Sequence, residues 1–305
     1  MATNELIFAC SISPGSSELE AIILARSIRT FAGRFSDSPV WILLPESEKG
    51  IQEETERTLL DLDARLIPYA VDGQLLAFPC GGKVMASAAA EALAEDKAEV
   101  LVWMDADSMV LNEPVPLILD DRASLGYRPV DHTLIGSPID EPIDHFWEHI
   151  YRRCHVTDAA LFPMTTTVDE KTIRPYFNAG MLVVRPERRL LRRWRDRFLK
   201  IYRDPLFEAL YTENILTKIF IHQAVLAGVV LSTLDHDDLT ELPPSINYPL
   251  HMHDQYPASS RPSYVDELVT CRYDTLFQSP NWREKIPTKE PFTSWLEDQV
   301  RAMAV

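Results

Sequence analysis

Three features of the chain predict an α/β fold with a mostly parallel central sheet and helices on both faces. Short apolar runs alternate with helix-like segments through the first third. The run EVLVWM (99–104) is apolar almost throughout, as a strand covered on both faces must be. The chain has 305 residues, of which 46% are hydrophobic and 25% charged, enough for one sizeable core.

In chain order, LIFACSI (6–12) reads as the first strand. Ser17 with Glu20 three residues on is a capping-box pattern that opens a helix to about Arg29. PVWILLP (39–45) is a strand, EETERTLLDL (53–62) a helix and ARLIPYAV (64–71) a third strand. GGKVMASAAAEALAED (81–96) is an alanine-rich helix leading into EVLVWM. After Pro114 the alternation breaks. SLGYRPV (124–130) and YFNAGMLVVRP (176–186) read as strands. Between them an insertion, about 131–175, carries prolines, histidines and one helix around IDHFWEHIYRRCH, and such insertions commonly set specificity. Residues 187–203 place Leu190, Leu191, Trp194, Phe198, Ile201 and Tyr202 at helical spacing. NILTKIFIHQAVLAG (214–228) is a helix, VVLSTL (229–234) a strand, and the segment from Pro243 is rich in proline, tyrosine and histidine. The expected organisation is one domain over 1–305, which the break after Pro114 divides into halves 1–114 and 115–305.

With 30 basic against 46 acidic residues the formal charge is −16, so duplex nucleic acid and anionic membranes are repelled over most of the surface. No run of about 18 apolar residues occurs, and the first residues lack the basic segment and cleavage pattern of a signal peptide. A soluble, cytoplasmic protein without a transmembrane segment is expected. Cys10, Cys80, Cys154 and Cys271 are scattered, with no C-x-x-C pair and no zinc spacing, and read as reduced structural thiols.

Asp-x-Asp occurs three times, at 61–63, 105–107 and 235–237, and a triplet alone says little. Asp105-Ala106-Asp107 differs in context. It ends the most apolar strand of the parallel set, and open α/β sheets bind ligands beyond the carboxyl ends of their strands. Two carboxylates there supply hard oxygen ligands for Mg²⁺ or Mn²⁺, with substrate phosphate completing the shell. Lys83, behind Gly81 and Gly82 at a helix start, suits phosphate. It is not a P-loop, because Ala77 and Val84 stand where that motif needs glycine and Ser or Thr. A haloacid-dehalogenase-type phosphatase also opens with an apolar strand and Asp-x-Asp, but there the motif begins the domain and continues with Gly-Thr, whereas here Ser108-Met109 follow.

VLVWMDADSMVLNEP, YFNAGMLVVRP and HQAVLAGVVLSTLDHDDLTELPPSINY, in this order, resemble the GT-A fold nucleotide-sugar glycosyltransferases, closest to the glycogenin-like family eight. The resemblance implies a sugar transferase of hexosyltransferase type that uses a nucleotide-diphospho-sugar donor with Mn²⁺ or Mg²⁺. It implies metal ligation by Asp105 and Asp107 with a late histidine, His253 or His251, and favours His253 slightly. Lys83 would meet donor phosphate or sugar, and Asn178 with the backbone of Ala179 and Gly180 would lie under the sugar. Gln223 would sit near the anomeric carbon, and Ala9, Cys10 and Ser11 would face the base. His222 departs from the family's aspartate before that glutamine. The terminal Gly-x-x-Lys-Pro-Trp is absent, with Arg261-Pro262 a loose echo. The resemblance leans to a retaining course; an inverting one would draw a base from Asp140, Glu141, Asp144 or Glu213. The acceptor would be a small molecule, glycan or lipid-linked sugar. A GT-A-like domain that binds nucleotide-sugars without transfer is the alternative reading.

Overall fold

The computed structural model describes residues 4–13, 17–46 and 50–303. The elements run β1 (Asn4–Ser11), α1 (Glu18–Phe31), β2 (Val40–Pro45), α2 (Glu53–Asp61), β3 (Ala64–Tyr69), α3 (Gly73–Leu76), α4 (Gly81–Ala94), β4 (Ala98–Met104) and β5 (Ser108–Val110). They continue β6 (Leu125–Tyr127), α5 (His145–Cys154), β7 (Met164–Thr165), β8 (Thr172–Ile173), β9 (Met181–Val184), α6 (Leu190–Ile201), α7 (Pro205–Glu213) and α8 (Ile215–Thr233). The last are β10 (Leu239–Glu241), β11 (Tyr248–Pro249), β12 (Thr270–Arg272), α9 (Trp282–Lys285) and α10 (Phe292–Met303).

The main sheet has seven strands in the order β10-β6-β9-β4-β1-β2-β3. β4, β1, β2 and β3 are mutually parallel, and β9 runs antiparallel between β4 and β6. The period-2 alternation of strand side chains sorts the apolar residues into two cores. Ile7, Ala9, Trp41, Leu101 and Trp103 face α4, α5, α6 and α8. Leu6, Phe8, Cys10, Val100 and Val102 face α1 and α2. A third core joins Ile23 of α1 and Met109 of β5 to the C-terminal segment, including Cys271, Tyr273 and Leu296. There β12 lies antiparallel to β5 and parallel to β11.

Three expectations are corrected. VVLSTL is not a strand: residues 229–233 are the last turns of α8, which runs unbroken from Ile215 to Thr233. Val229 and Val230 favour strand locally, but burial against the neighbouring helices overrides that preference. YFNAGMLVVRP forms a strand only over Met181–Val184, because residues 178–180 turn to meet the site. Ser17 is the N-cap of α1, yet its hydroxyl accepts from the Ser13 N–H at 3.0 Å, and the capping box with Glu20 does not form.

By length and composition α8 is apolar enough to cross a membrane, but 67% of its apolar window is buried inside the protein. A helix apolar on all sides is what a core-spanning helix requires.

The two other Asp-x-Asp triplets have structural roles. Asp63 takes a left-handed φ of 52° after α2, and the carbonyls of Leu62 and Asp63 accept from Arg29. Asp235 and Asp238 form a reciprocal capping box on a 3₁₀ turn.

Candidate active site

The site lies beyond the carboxyl ends of β4 and β1. β4 delivers Asp105, whose N–H donates to the Gly180 carbonyl at 2.8 Å, tying the strand end to the turn before β9. Lys83, on the first turn of α4, places Nζ 2.7 Å from Asp105 Oδ1 and 2.8 Å from Oδ2. Burial works against the ammonium, but Asp105, Cys80 and Asp107 together hold it above the ordinary lysine value.

Asp107 is pushed up to about 6 by burial and by Asp105, with Arg272 and Lys83 only partly offsetting them. Glu20 on α1 is pushed up to about 7, first by burial and then by Asp107, and its Oε2 is buried without a partner among the described residues.

The turn at 178–180 is held from three directions. Gly180 N–H donates to Asn178 Oδ1 at 2.8 Å, and Asn178 Nδ2 donates to Asp131 Oδ2 at 3.3 Å. The Ala179 N–H donates to Gln223 Oε1 at 2.9 Å from the middle of α8. The Gln223 side-chain oxygen is thus spent on holding the turn, and the same side chain faces the buried Tyr176 hydroxyl.

His222 is buried and pushed down to about 3 by burial and by Lys83, so the imidazole is neutral near pH 7. Its Nδ1 lies 3.0 Å from the Ile219 carbonyl, which makes Nδ1 the protonated nitrogen. The family's aspartate is therefore replaced by an uncharged group.

Ala9 and Cys10 are buried in opposite cores, and only Ser11 of the three is partly open. Burial raises the Cys10 thiol, with Asp105 and Glu20 acting the same way, so it stays protonated.

Two residues that the sequence did not single out complete the arrangement. Asp131, after the β6 strand, accepts from Asn178 and pairs with Arg272. Arg272 ends β12 opposite Ser108, one residue past Asp107, and the Tyr273 N–H donates to the Asp107 carbonyl at 3.0 Å. The Arg272 Nη2 bonds Asp131, while its Nε is buried with no partner among the described residues. The available signal was slight: one arginine in the short run Val-Thr-Cys-Arg-Tyr.

The implied metal centre requires two aspartates and a histidine to converge. His253 Nδ1 pairs with Tyr248 OH at 3.0 Å, and burial, then Arg261, hold its imidazole below the ordinary value. His251 is the one whose imidazole feels Arg272 and Asp131, and burial is the largest cause of its lowered pKa. Its Nδ1 is buried with no partner among the described residues. Yet among the described residues no three His, Cys, Asp or Glu side chains are grouped to hold a metal ion. Both oxygens of Asp105 face a lysine, and a guanidinium comes in from β12. The donor set does not fit that three-ligand centre.

Fold and site define a GT-A nucleotide-sugar glycosyltransferase. The chain belongs to the Rhodobacterales glycosyltransferase domain family, whose model matches residues 8–233. Its fold is similar to that of the galactosyltransferase LgtC in complex with donor and acceptor sugar analogues, with a TM-score of 0.50 at 15% identity over 98% of this chain and 95% of that one. Weaker likenesses are mouse xyloside xylosyltransferase 1 (TM-score 0.45, 13% identity, 90% and 98% covered) and GlyE of Streptococcus pneumoniae TIGR4 (0.48, 12%, 98% and 60%). No curated protein sequence matches the chain. Arg272 and both histidines lie beyond the stretch that the family model covers.

Proposed function

We propose that this glycosyltransferase seats the sugar of a nucleotide-diphospho-sugar on the Asn178-Ala179-Gly180 turn and its diphosphate beside Lys83. The observation that carries this is the Asp105–Gly180 hydrogen bond, which sets the strand end that Lys83 pairs with against the 178–180 turn. In transfer, the bond from the anomeric carbon to the β-phosphate oxygen breaks and its electron pair leaves with the phosphate. The acceptor oxygen bonds the anomeric carbon, and its proton passes to a phosphate oxygen. Positive charge fixed at the leaving oxygen stabilises this step as the charge develops.

We carry the retaining course in the same reading. Of the four bases that an inverting course would draw on, Asp144 and Glu213 are placed elsewhere, and Asp140 and Glu141 alone face space that an acceptor could enter. Asp144 caps α5 by accepting from the Trp147 N–H at 2.8 Å, and Glu213 is exposed at the end of α7. Asp140 and Glu141 line a cavity of about 670 Å³ in the insertion, together with Thr133 and Lys171. That cavity is our candidate for acceptor entry. The halves 1–114 and 115–305 then contribute Lys83 with Asp105, and the sugar turn with Gln223, respectively.

The test is to incubate the protein with a panel of nucleotide-sugars and follow release of nucleoside diphosphate, since many transferases slowly hydrolyse their donor. Release that disappears in Asp105→Ala is the expected result. Binding without release under every acceptor tried would favour a nucleotide-sugar sensor, and phosphate released from sugar phosphates would restore the phosphatase.

A further inference from the structure

We propose that Arg272, together with Lys83, binds the donor's diphosphate directly, so that two fixed side-chain cations do the work assigned to a metal ion. The inference rests on the donor being a nucleotide-diphospho-sugar, as proposed above.

Four observations carry it. First, Arg272 is delivered to the site by backbone pairing: β12 runs antiparallel to β5 with Arg272 opposite Ser108, and the Tyr273 N–H bonds the Asp107 carbonyl at 3.0 Å. The arginine is thus locked in register with Asp105-Ala106-Asp107. Second, its side chain lies over the sugar turn, with Cδ 3.8 Å from where a Cβ on Gly180 would stand. Third, its guanidinium is only partly used. Nη2 bonds Asp131, and the buried Nε is a donor with no acceptor among the described residues. A buried donor without an acceptor is costly, and a phosphate oxygen would satisfy it. Fourth, Lys83 is held against both oxygens of Asp105 and the guanidinium against Asp131, so each cation is oriented by a carboxylate.

The chemistry of the pair suits the task. A guanidinium presents several donors in a fixed plane that matches phosphate oxygens, while an ammonium acts as a compact point charge.

The experiment is calorimetric titration of the full chain with UDP, GDP, ADP, CDP and dTDP, in EDTA and again with excess Mn²⁺ or Mg²⁺. At least one diphosphate is expected to bind in EDTA, with its affinity changed less than about threefold by either cation. Arg272→Gln should weaken that binding in EDTA by about 10- to 100-fold, the range expected for losing hydrogen bonds to a charged group. Affinity for the matching nucleoside should not change, and Arg272→Lys should recover part of the loss. Because Arg272→Gln strands Asp131, the double variant Arg272→Gln/Asp131→Asn is titrated alongside, with thermal melting to confirm folding. The same loss in a double variant that melts like the wild type supports the proposal. Binding that needs Mn²⁺ or Mg²⁺, or an Arg272→Gln protein of wild-type affinity, overturns it and leaves the transferase reading standing. No diphosphate bound under either condition overturns the donor reading and this inference with it.

Discussion

At Gly180 a Cβ would lie 3.0 Å from Asn178 Oδ1 and 3.2 Å from Asp105 Oδ2. Both neighbours are site groups, so Gly180→Ala must displace them by a few tenths of an ångström. Donor turnover is expected to fall by about 10- to 100-fold, the penalty for misplacing reacting groups, while the melting temperature drops by only a few degrees. A larger loss of stability than of turnover would mean that the glycine serves folding alone. Glu20 makes a pH-dependent prediction. Burial and Asp107 raise its folded-state value to about 7 from an ordinary 4.5. Its contribution is therefore most favourable below the unfolded value and is lost as the pH rises through about 7. Glu20→Gln should stabilise the protein at pH 8 by ~1 kcal/mol, less than the full shift because the carboxyl is only half buried, and by little at pH 5. Paired melting curves at the two pH values check the sign. Asp105, Lys83, Asn178 and Gln223 were legible in the sequence because each sits in a motif on or beside a long element. Asp131 and Arg272 were not, since their meaning comes from each other across 141 residues of chain.

Among the elements, α6 begins without a cap of its own. Its N-cap, Arg189, is left-handed at φ 58° and offers no side-chain acceptor. The missing acceptor comes from α4: fully buried Glu91 accepts from the Leu191 N–H at 2.9 Å with Oε1, and from the Arg192 N–H at 2.9 Å and Nε at 3.0 Å with Oε2. A carboxylate at a helix N-terminus also meets the positive end of the helix dipole. Glu91→Ala leaves those donors and the Arg192 charge unmatched and should cost about 3–5 kcal/mol in urea unfolding. Glu91→Gln keeps one acceptor and should cost less, and equal losses would argue against the cap. The helix pair shows what local pattern can and cannot reveal. The amphipathic spacing of α6 was readable, but its trans-acting cap was not. α8 was misread as a helix followed by a strand because its C-terminal turns are β-branched and apolar on every side. Its close packing on α5 is marked by Gly228, where a Cβ would lie 2.6 Å from Cys154 Sγ.

Over the whole molecule, the parallel half was legible because long apolar strands alternate with helices, whereas the C-terminal segment was not. Its strands are two or three residues long, too short for a period, and side-chain packing holds them. That packing matters for function because the third core carries β12, and with it Arg272, onto β5. The core is closed by α10, where Leu296 is fully buried and Gln299 Oε1 accepts from Arg26 of α1 at 3.0 Å. Leu59 of α2 is equally buried, but in the core beneath the opposite end of the sheet. Leu296→Ala and Leu59→Ala should each cost about 2–4 kcal/mol of stability, the range for a cavity in a packed core. If the C-terminal segment positions the diphosphate grip, the two must part in binding. At a temperature where both variants are fully folded, Leu296→Ala should weaken nucleoside diphosphate binding severalfold by loosening β12. Leu59→Ala should bind as the wild type does. Equal affinities in the two variants would show that β12 is held by its backbone pairing with β5 and β11 alone, and that the third core contributes stability without shaping the site.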